Sequence, residues 1–456
     1  MNTTKDLESM LGDPKKAILS MTLPLIVSYL IVQINLFVDT SWCSGLGSDA
    51  SSAVSSISPL YWVVAGLGTG IGVGASTAIA RCLGRGENGN ANSLASQTVV
   101  VTLIISLAVG PILYVLIDPL VVMIGARSIS DLCSAYIVPI CIMTPFIMMD
   151  GVLSGILRSE GAAKRSMLML SSSAIVNIVL DPVLIYGMDM GLAGAGWATG
   201  LSTVVSSGIG LYLYLGGRQC ITLSFKGFRF KRNEIKDVLY VGVPRATEST
   251  LISLMSLFQR IFVIACGGIA GAMFYNIPWR FVSLACVISM AVSSAMIPVC
   301  SAALGQRNIP KAEDGYRYAI RISVLSMSVL AVLLFVFADW CVIPFTYSDS
   351  MIGYRSEFAH VLRIYAPIVI CMAFVDIGSA ILQSLRMAQY SMVSAFLRNA
   401  VIIACLYFAS MISMDAIYYS LLLSEVFGAV LMMYLARKEL SKFKKRECKP
   451  GKDVIS

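Results

Sequence analysis

Ile175-Val-Asn-Ile-Val-Leu-Asp-Pro-Val-Leu-Ile185 decides how this chain is read. Asn177 and Asp181 are four residues apart, so on a helix both project from one face. They lie within residues 167–187, where the other polar side chains are a serine cluster and Tyr186. That length and apolarity suit a helix that crosses a bilayer. An aspartate near mid-bilayer costs about 2.5–3.5 kcal/mol on insertion scales and faces a cavity or a partner when it occurs. Asp39, in Ile34-Asn-Leu-Phe-Val-Asp-Thr40, poses the same problem in the first apolar segment. Taken alone, Asp39 also fits a structural residue bonded to Asn35 or Thr40, and Asp181 a cap before Pro182. Two such acids, with Asn177 beside one of them, point instead to a proton or cation site.

The composition sets the class. Of the 456 residues, 57% are hydrophobic and 13% charged. An ordinary globular domain carries about 25% charged residues, so the chain reads as an all-α polytopic membrane protein. The mixed-charge, polar stretch 1–16 lacks a small-residue cleavage site, so no removable signal peptide is expected. The net charge of +8 sits mostly in loops and the C-terminal tail, as the positive-inside rule describes, and not in a nucleic-acid-binding patch. Most of the 12 cysteines fall in apolar runs without metal-ligand spacing and read as small buried hydrophobes. The single histidine, His360, reads as an interfacial side chain.

Twelve apolar segments are expected, at 17–41, 53–79, 94–117, 132–157, 166–187, 193–216, 238–266, 270–303, 319–345, 358–385, 390–412 and 416–436. Basic residues cluster at the N-terminus, in alternate loops (Arg81 and Arg85; Arg158, Lys164 and Arg165; Arg218 to Lys236; Arg307 to Arg321; Arg386) and in the tail. The opposite loops offer little beyond Arg127 and Arg355. Both termini are therefore expected to be cytoplasmic, in the inner (plasma) membrane.

The longest basic loop falls mid-chain and divides two similar halves. Ile156-Leu-x-Ser-x-x-x-Ala-x-x-Ser-Met167 recurs as Ile381-Leu-x-Ser-x-x-x-Ala-x-x-Ser-Met392. Cys82-Leu-Gly-Arg85 matches Ala303-Leu-Gly-Gln306, Leu36-Phe37 matches Leu257-Phe258, and Pro24 matches Pro244. Six spans per half is an even number, so the halves form a parallel internal repeat. The expected organisation is a six-helix N-lobe (1–216), a linker loop (217–237), a six-helix C-lobe (238–436) and a basic cytoplasmic tail (437–456). The repeat sets Arg260 against Asp39 and apolar residues against Asn177 and Asp181, so the acidic pocket belongs to the N-lobe alone. The C-lobe carries its own in-membrane polar residues, Glu248, Arg260, Asp376, Arg398 and Glu425, which fit either ion pairs or substrate contacts.

The glycines from Gly66 to Gly74 lack the preceding strand and the Lys-Ser/Thr of a phosphate loop, and their spacing suits close helix packing. Pro24 shares a helix with Asp39, about 22 Å away along its axis, and is a candidate bend point.

Several motifs resemble the multidrug and toxic compound extrusion family of secondary transporters. They are Asn35-Leu-Phe-Val-Asp-Thr40 with Gly45-Leu-Gly47, Ala80-Arg-Cys-Leu-Gly-Arg85, Asn177-x-x-x-Asp181-Pro182, and Gly194-Ala-Gly-Trp-Ala-Thr-Gly200. The likeness covers nearly the whole chain and looks closest to the branch with an N-lobe cation site (archaeal and DNA-damage-inducible members). It implies a proton or Na⁺ site at Asp39, Asn177, Asp181 and Thr199, with Tyr136 nearby and a hinge at Pro24. No other metal and no cofactor is implied. Asp376 looks like the C-lobe acid of another branch, but Glu248 does not keep that branch's spacing.

The function expected is an antiporter that exports organic, cationic, amphiphilic compounds against H⁺ or Na⁺, working as a monomer on small-molecule substrates. The alternative is a lipid-linked precursor flippase of the same superfamily, for which Arg245, Arg260 and Arg280 would serve a pyrophosphate. A membrane enzyme is not expected, because one histidine cannot supply H-E-x-x-H and no G-x-G-D signature is present.

Overall fold

A computed structural model describes residues 2–123, 129–217, 219–225, 230–346 and 352–447. Arg127 and five residues of the mid-chain basic loop, 218 and 226–229, lie outside them. The N-terminal helix α1 (Asn2–Leu11) precedes six spans: α2 (Pro14–Ser44), α3 (Ser48–Gly84), α4 (Asn88–Met123), α5 (Ser130–Ser159), α6 (Ala163–Pro182) and α7 (Gly191–Leu215). A helical run from Arg232 to Gly305 is broken at Gly268 (φ 62°, ψ −154°) into α8 (Arg232–Gly268) and α9 (Gly271–Gly305). Then come α10 (Ile309–Val336), the short α11 (Ala338–Cys341), α12 (Arg355–Ser384), α13 (Ala388–Ala409) and α14 (Met414–Glu447). Twelve of these helices are long and apolar enough to cross a membrane. The twelve-span expectation holds, with α8 starting six residues before its apolar segment because the polar turn Arg232–Asp237 is helical too.

The internal repeat is visible in the chain's turns. Gly86 and Arg307 share a left-handed backbone, as do Gly161 and Arg386. Each follows a helix end closed by the same bond: Glu87 N–H to Cys82 O and Asn308 N–H to Ala303 O, at 3.0 Å each. The second pair is closed by Ala162 N–H to Leu157 O at 3.0 Å and Met387 N–H to Leu382 O at 2.7 Å. Inside the lobes, Ser154 Oγ meets Ser166 Oγ at 2.9 Å, and Ser379 Oγ meets Ser391 Oγ at 2.6 Å. These matched contacts repeat at the offsets seen in the sequence, as a parallel repeat requires.

Glycines bring α3 close to two neighbours at once. Gly66, Gly70 and Gly74 face α8, while Gly68 and Gly72 face α5. A Cβ at Gly70 would lie 2.6 Å from Ala246, and one at Gly72 would lie 2.4 Å from Gly151 O. The alternate spacing thus serves two interfaces, one within the N-lobe and one between lobes. The lobes also meet at the basic end, where Arg81 Nη2 donates to Ser384 O at 2.7 Å. The linker is held to the N-lobe there. Glu160, 2% exposed, accepts from the backbone N–H groups of Cys220 (3.0 Å) and Ile221 (3.1 Å) and from the Tyr214 hydroxyl (3.1 Å).

Candidate cation site in the N-lobe

Residues Ala163–Pro182 form a regular helix, but Pro182 has no N–H to continue the ladder. The following turn, Val183–Gly187, widens to π geometry, and Met188 N–H closes it on Val183 O at 2.8 Å. Asp181 therefore sits one residue before a break, its side chain fully buried and that of Asn177 3% exposed. Asn177 Nδ2 donates to Asp181 Oδ1 at 3.2 Å, as their four-residue spacing requires. Across the helix pair, Asn35 Nδ2 of α2 donates to Asn177 Oδ1 at 2.8 Å. Asn35 is thus the link that carries α2 onto α6. Tyr186 ties the same two helices further along, its hydroxyl donating to Trp42 O at 2.6 Å.

Asp39 lies one turn beyond Asn35 on α2, half-buried and within electrostatic range of Asp181. Its Oδ1 accepts from Cys43 Sγ at 3.7 Å. The structural roles open to it from sequence are not taken up, since Asn35 turns to Asn177 and Thr40 Oγ1 donates to Leu36 O. Two acceptor oxygens here, Asp181 Oδ2 and Asn35 Oδ1, are buried without a partner among the described residues. An unsatisfied buried acceptor costs about 1–3 kcal/mol. Oxygen donors of this kind fit a proton or a hard monovalent cation. Among the described residues no group of three His, Cys, Asp or Glu side chains is placed to hold a metal ion.

Tyr136 is 4% exposed, close enough to feel both Asp39 and Asp181. Thr199 Oγ1 donates to Ala195 O of its own helix at 3.0 Å, not to either acid. Pro24 is buried in an unbroken α2. Two residues of this region were not among the site residues expected from sequence. Asn35 stands one helical turn before Asp39, a spacing that could have flagged it. Asp150, on α5, accepts from Ser206 and is a third acid in an N-lobe span, recognisable as a carboxylate in an apolar run.

In the C-lobe the polar residues pair off. Arg245 meets Glu248 at 3.0 Å, and Ser391 Oγ donates to the same carboxylate at 3.0 Å. Arg398 meets Glu425 at 3.0 Å, Ser289 donates to Asp376, and Arg260 donates to Ser55 O across the lobes at 3.2 Å. His360 is exposed, with Nε2 3.4 Å from Asp415 Oδ1.

The family model described as MatE matches residues 24–183 and 244–408, one block in each lobe. The chain belongs to the MatE family. Like other MatE members it is a multi-pass membrane transporter and not an enzyme. It is 26% identical over 439 residues to the multidrug export protein MepA of Staphylococcus saprophyticus subsp. saprophyticus, covering 93% of this chain and 95% of that one. It also matches crystal structures of MATE in the straight conformation (TM-score 0.90, 28% identity, 97% of this chain and 100% of the other) and in the bent conformation (TM-score 0.90, 28% identity, 98% and 100%).

Proposed function

We propose that the protein is a multidrug exporter of the plasma membrane, expelling organic cationic amphiphiles in exchange for inward H⁺ or Na⁺. The observation that carries this reading is the pair of partnerless buried oxygens, Asp181 Oδ2 and Asn35 Oδ1, beside Asp39. A proton on Asp181 would donate to an acceptor there, and Na⁺ would be ligated by these oxygens. Either would give these two oxygens a partner. The name of one relative, a multidrug export protein, supports multidrug export.

The site bridges α2 and α6 through Asn35, so its occupancy bears directly on how α2 sits. Loading with a cation draws Asn35 and Asp39 towards Asp181, and α2 yields at Pro24, where the missing N–H leaves the helix weakest. The likeness to MATE structures in both straight and bent conformations is consistent with such a movement. The bend brings α2 against the rest of the N-lobe and drives substrate out. A cation shifts this equilibrium only by its differential affinity for the two shapes, and bound substrate must weaken cation binding by the same factor. With both termini cytoplasmic, the basic end, where the lobes are clamped, faces the cytoplasm.

Of the three arginines that would favour a flippase of lipid-linked pyrophosphates, Arg245 is neutralised by Glu248 and Arg280 lies over the Phe37 ring at 5.1 Å. The export reading therefore stands first. The test is efflux from proteoliposomes with imposed pH and Na⁺ gradients. Asp39→Asn and Asp181→Asn each abolish gradient-driven transport at unchanged protein level, because an amide keeps the shape without a titratable charge. Normal coupled efflux in either variant would refute the site.

A further inference from the structure

The C-lobe holds a cavity of about 180 Å³, remote in sequence from the Asp39–Asp181 pair. It is lined by Arg260 of α8, Tyr275 and Trp279 of α9, Arg398 and Asn399 of α13, and Glu425 of α14. Arg398 is 7% exposed. Its Nη1 donates to Glu425 Oε2 at 3.0 Å, while its Nε has no partner among the described residues. A buried guanidinium seldom leaves a fork position idle, since the lost hydrogen bond is not returned by water. The side chain is also held in place. Gly428 of α14 leaves room for its stem, and a Cβ there would lie 2.3 Å from Arg398 Cδ. The fork is therefore fixed before any ligand arrives.

Two arginines against one glutamate leave the lining formally positive by one charge. The aromatic wall is fixed as well. The Tyr275 and Trp279 rings stand edge-on to Tyr365, with centroids 6.2 and 6.0 Å away, and the Tyr275 hydroxyl donates to Gln259 Oε1 at 3.0 Å. A rigid aromatic wall suits a flat ring, and two guanidinium groups lining one cavity with a single carboxylate suit a carboxylate ligand.

We propose that this C-lobe cavity is a binding site for aromatic monocarboxylates, with Arg398 and Arg260 receiving the carboxylate and Tyr275 and Trp279 the ring. The unit charge excess favours a monoanion over a phosphate dianion. The site gives the transporter a second recognition chemistry, opposite in sign to the acidic N-lobe, and does not rest on the N-lobe reading.

The test is calorimetric titration of the purified full-length protein with four probes sharing one ring system: 2-naphthoate, 2-naphthamide, 2-naphthylmethylammonium and 2-naphthyl phosphate. Naphthoate binds at least tenfold more tightly than the other three. Arg260→Gln and Arg398→Lys each weaken naphthoate about tenfold and leave the amide unchanged, and Gly428→Ala, which displaces the Arg398 stem, weakens it too. Should Arg398→Lys or Gly428→Ala fail to fold, the half-buried Arg260 decides the matter. Naphthoate binding persists in Asp39→Asn and Asp181→Asn, so a failed N-lobe site leaves this result intact. Equal affinity for acid and amide, tighter binding of the phosphate, indifference to Arg260→Gln, or loss of binding in the N-lobe variants would each overturn the proposal.

Discussion

Gly84 and Gly305 occupy equivalent places in the two halves, and each faces the other half's backbone. A Cβ on Gly84 would lie 2.2 Å from Ala302 O, and one on Gly305 would lie 2.2 Å from Arg81 O. Ordinary contact is at 3.4 Å or more, so Gly84→Ala forces α3 and α9 about 1.2 Å apart at the basic end. Overpacking of a tight interface costs about 1–3 kcal/mol, which shifts an equilibrium about 5- to 150-fold. Here the cost falls on the state in which the lobes are clamped, so the variant populates the state opened at this end. Because the two glycines form one crossing, spreading it for the first Cβ makes room for the second. Gly84→Ala and Gly305→Ala are therefore strongly non-additive, and the double variant costs little more than either single one. Spin labels at positions 89 and 314, on the first turn of α4 and the second turn of α10, report the separation of the lobes in a cysteine-free background. Wild type gives one short distance, and each single variant adds a longer population. Unchanged distances in Gly84→Ala, or a double variant whose effect is the sum of the singles, would refute a shared clasp.

Three other outcomes are expected. Burial pushes the Glu160 carboxyl, which lies between α5 and α6 outside the spans, up from 4.5 to about 7, against the opposing hydrogen bonds from Ile221, Tyr214 and Cys220. The folded protein therefore holds a proton that the unfolded chain releases, and stability falls as pH rises from about 4.5 to 7, by about 3 kcal/mol in all. Thermal unfolding in detergent across that range shows the slope, and Glu160→Gln flattens it; parallel profiles would mean the group is not buried as described. Gly161→Ala destabilises the fold, because its left-handed φ of 78° disfavours a side chain and a Cβ would lie 2.5 Å from Asp6 O. A melting temperature within a degree of wild type would contradict that packing. A phosphatase fused after residue 447 is inactive and a fluorescent protein there is bright, if the C-terminus is cytoplasmic; active phosphatase reverses the orientation.

The sequence alone determined the class, the number of spans and the twofold plan. Apolar length is a local property and the bilayer makes it decisive, since each span must satisfy its own backbone. The four-residue spacing likewise placed Asn177 and Asp181 on one face before any packing was known. Thr199 entered through the family resemblance and not through spacing, and its hydroxyl donates to Ala195 O of its own helix. Only the tertiary structure decided which polar groups remain without partners. Glu248 and Glu425 look like Asp181 in a linear reading, each a carboxylate in an apolar run. Packing gives the first two an arginine apiece and leaves one oxygen of Asp181 bare. Glu248 has its arginine three residues back on the same helix, a local pairing, whereas Arg398 and Glu425 are on different helices and their pairing depends on how α13 meets α14. The role of Asn35, the two-faced glycines of α3 and the idle nitrogen of Arg398 were hidden for the same reason: each is defined by a neighbour far away in the chain.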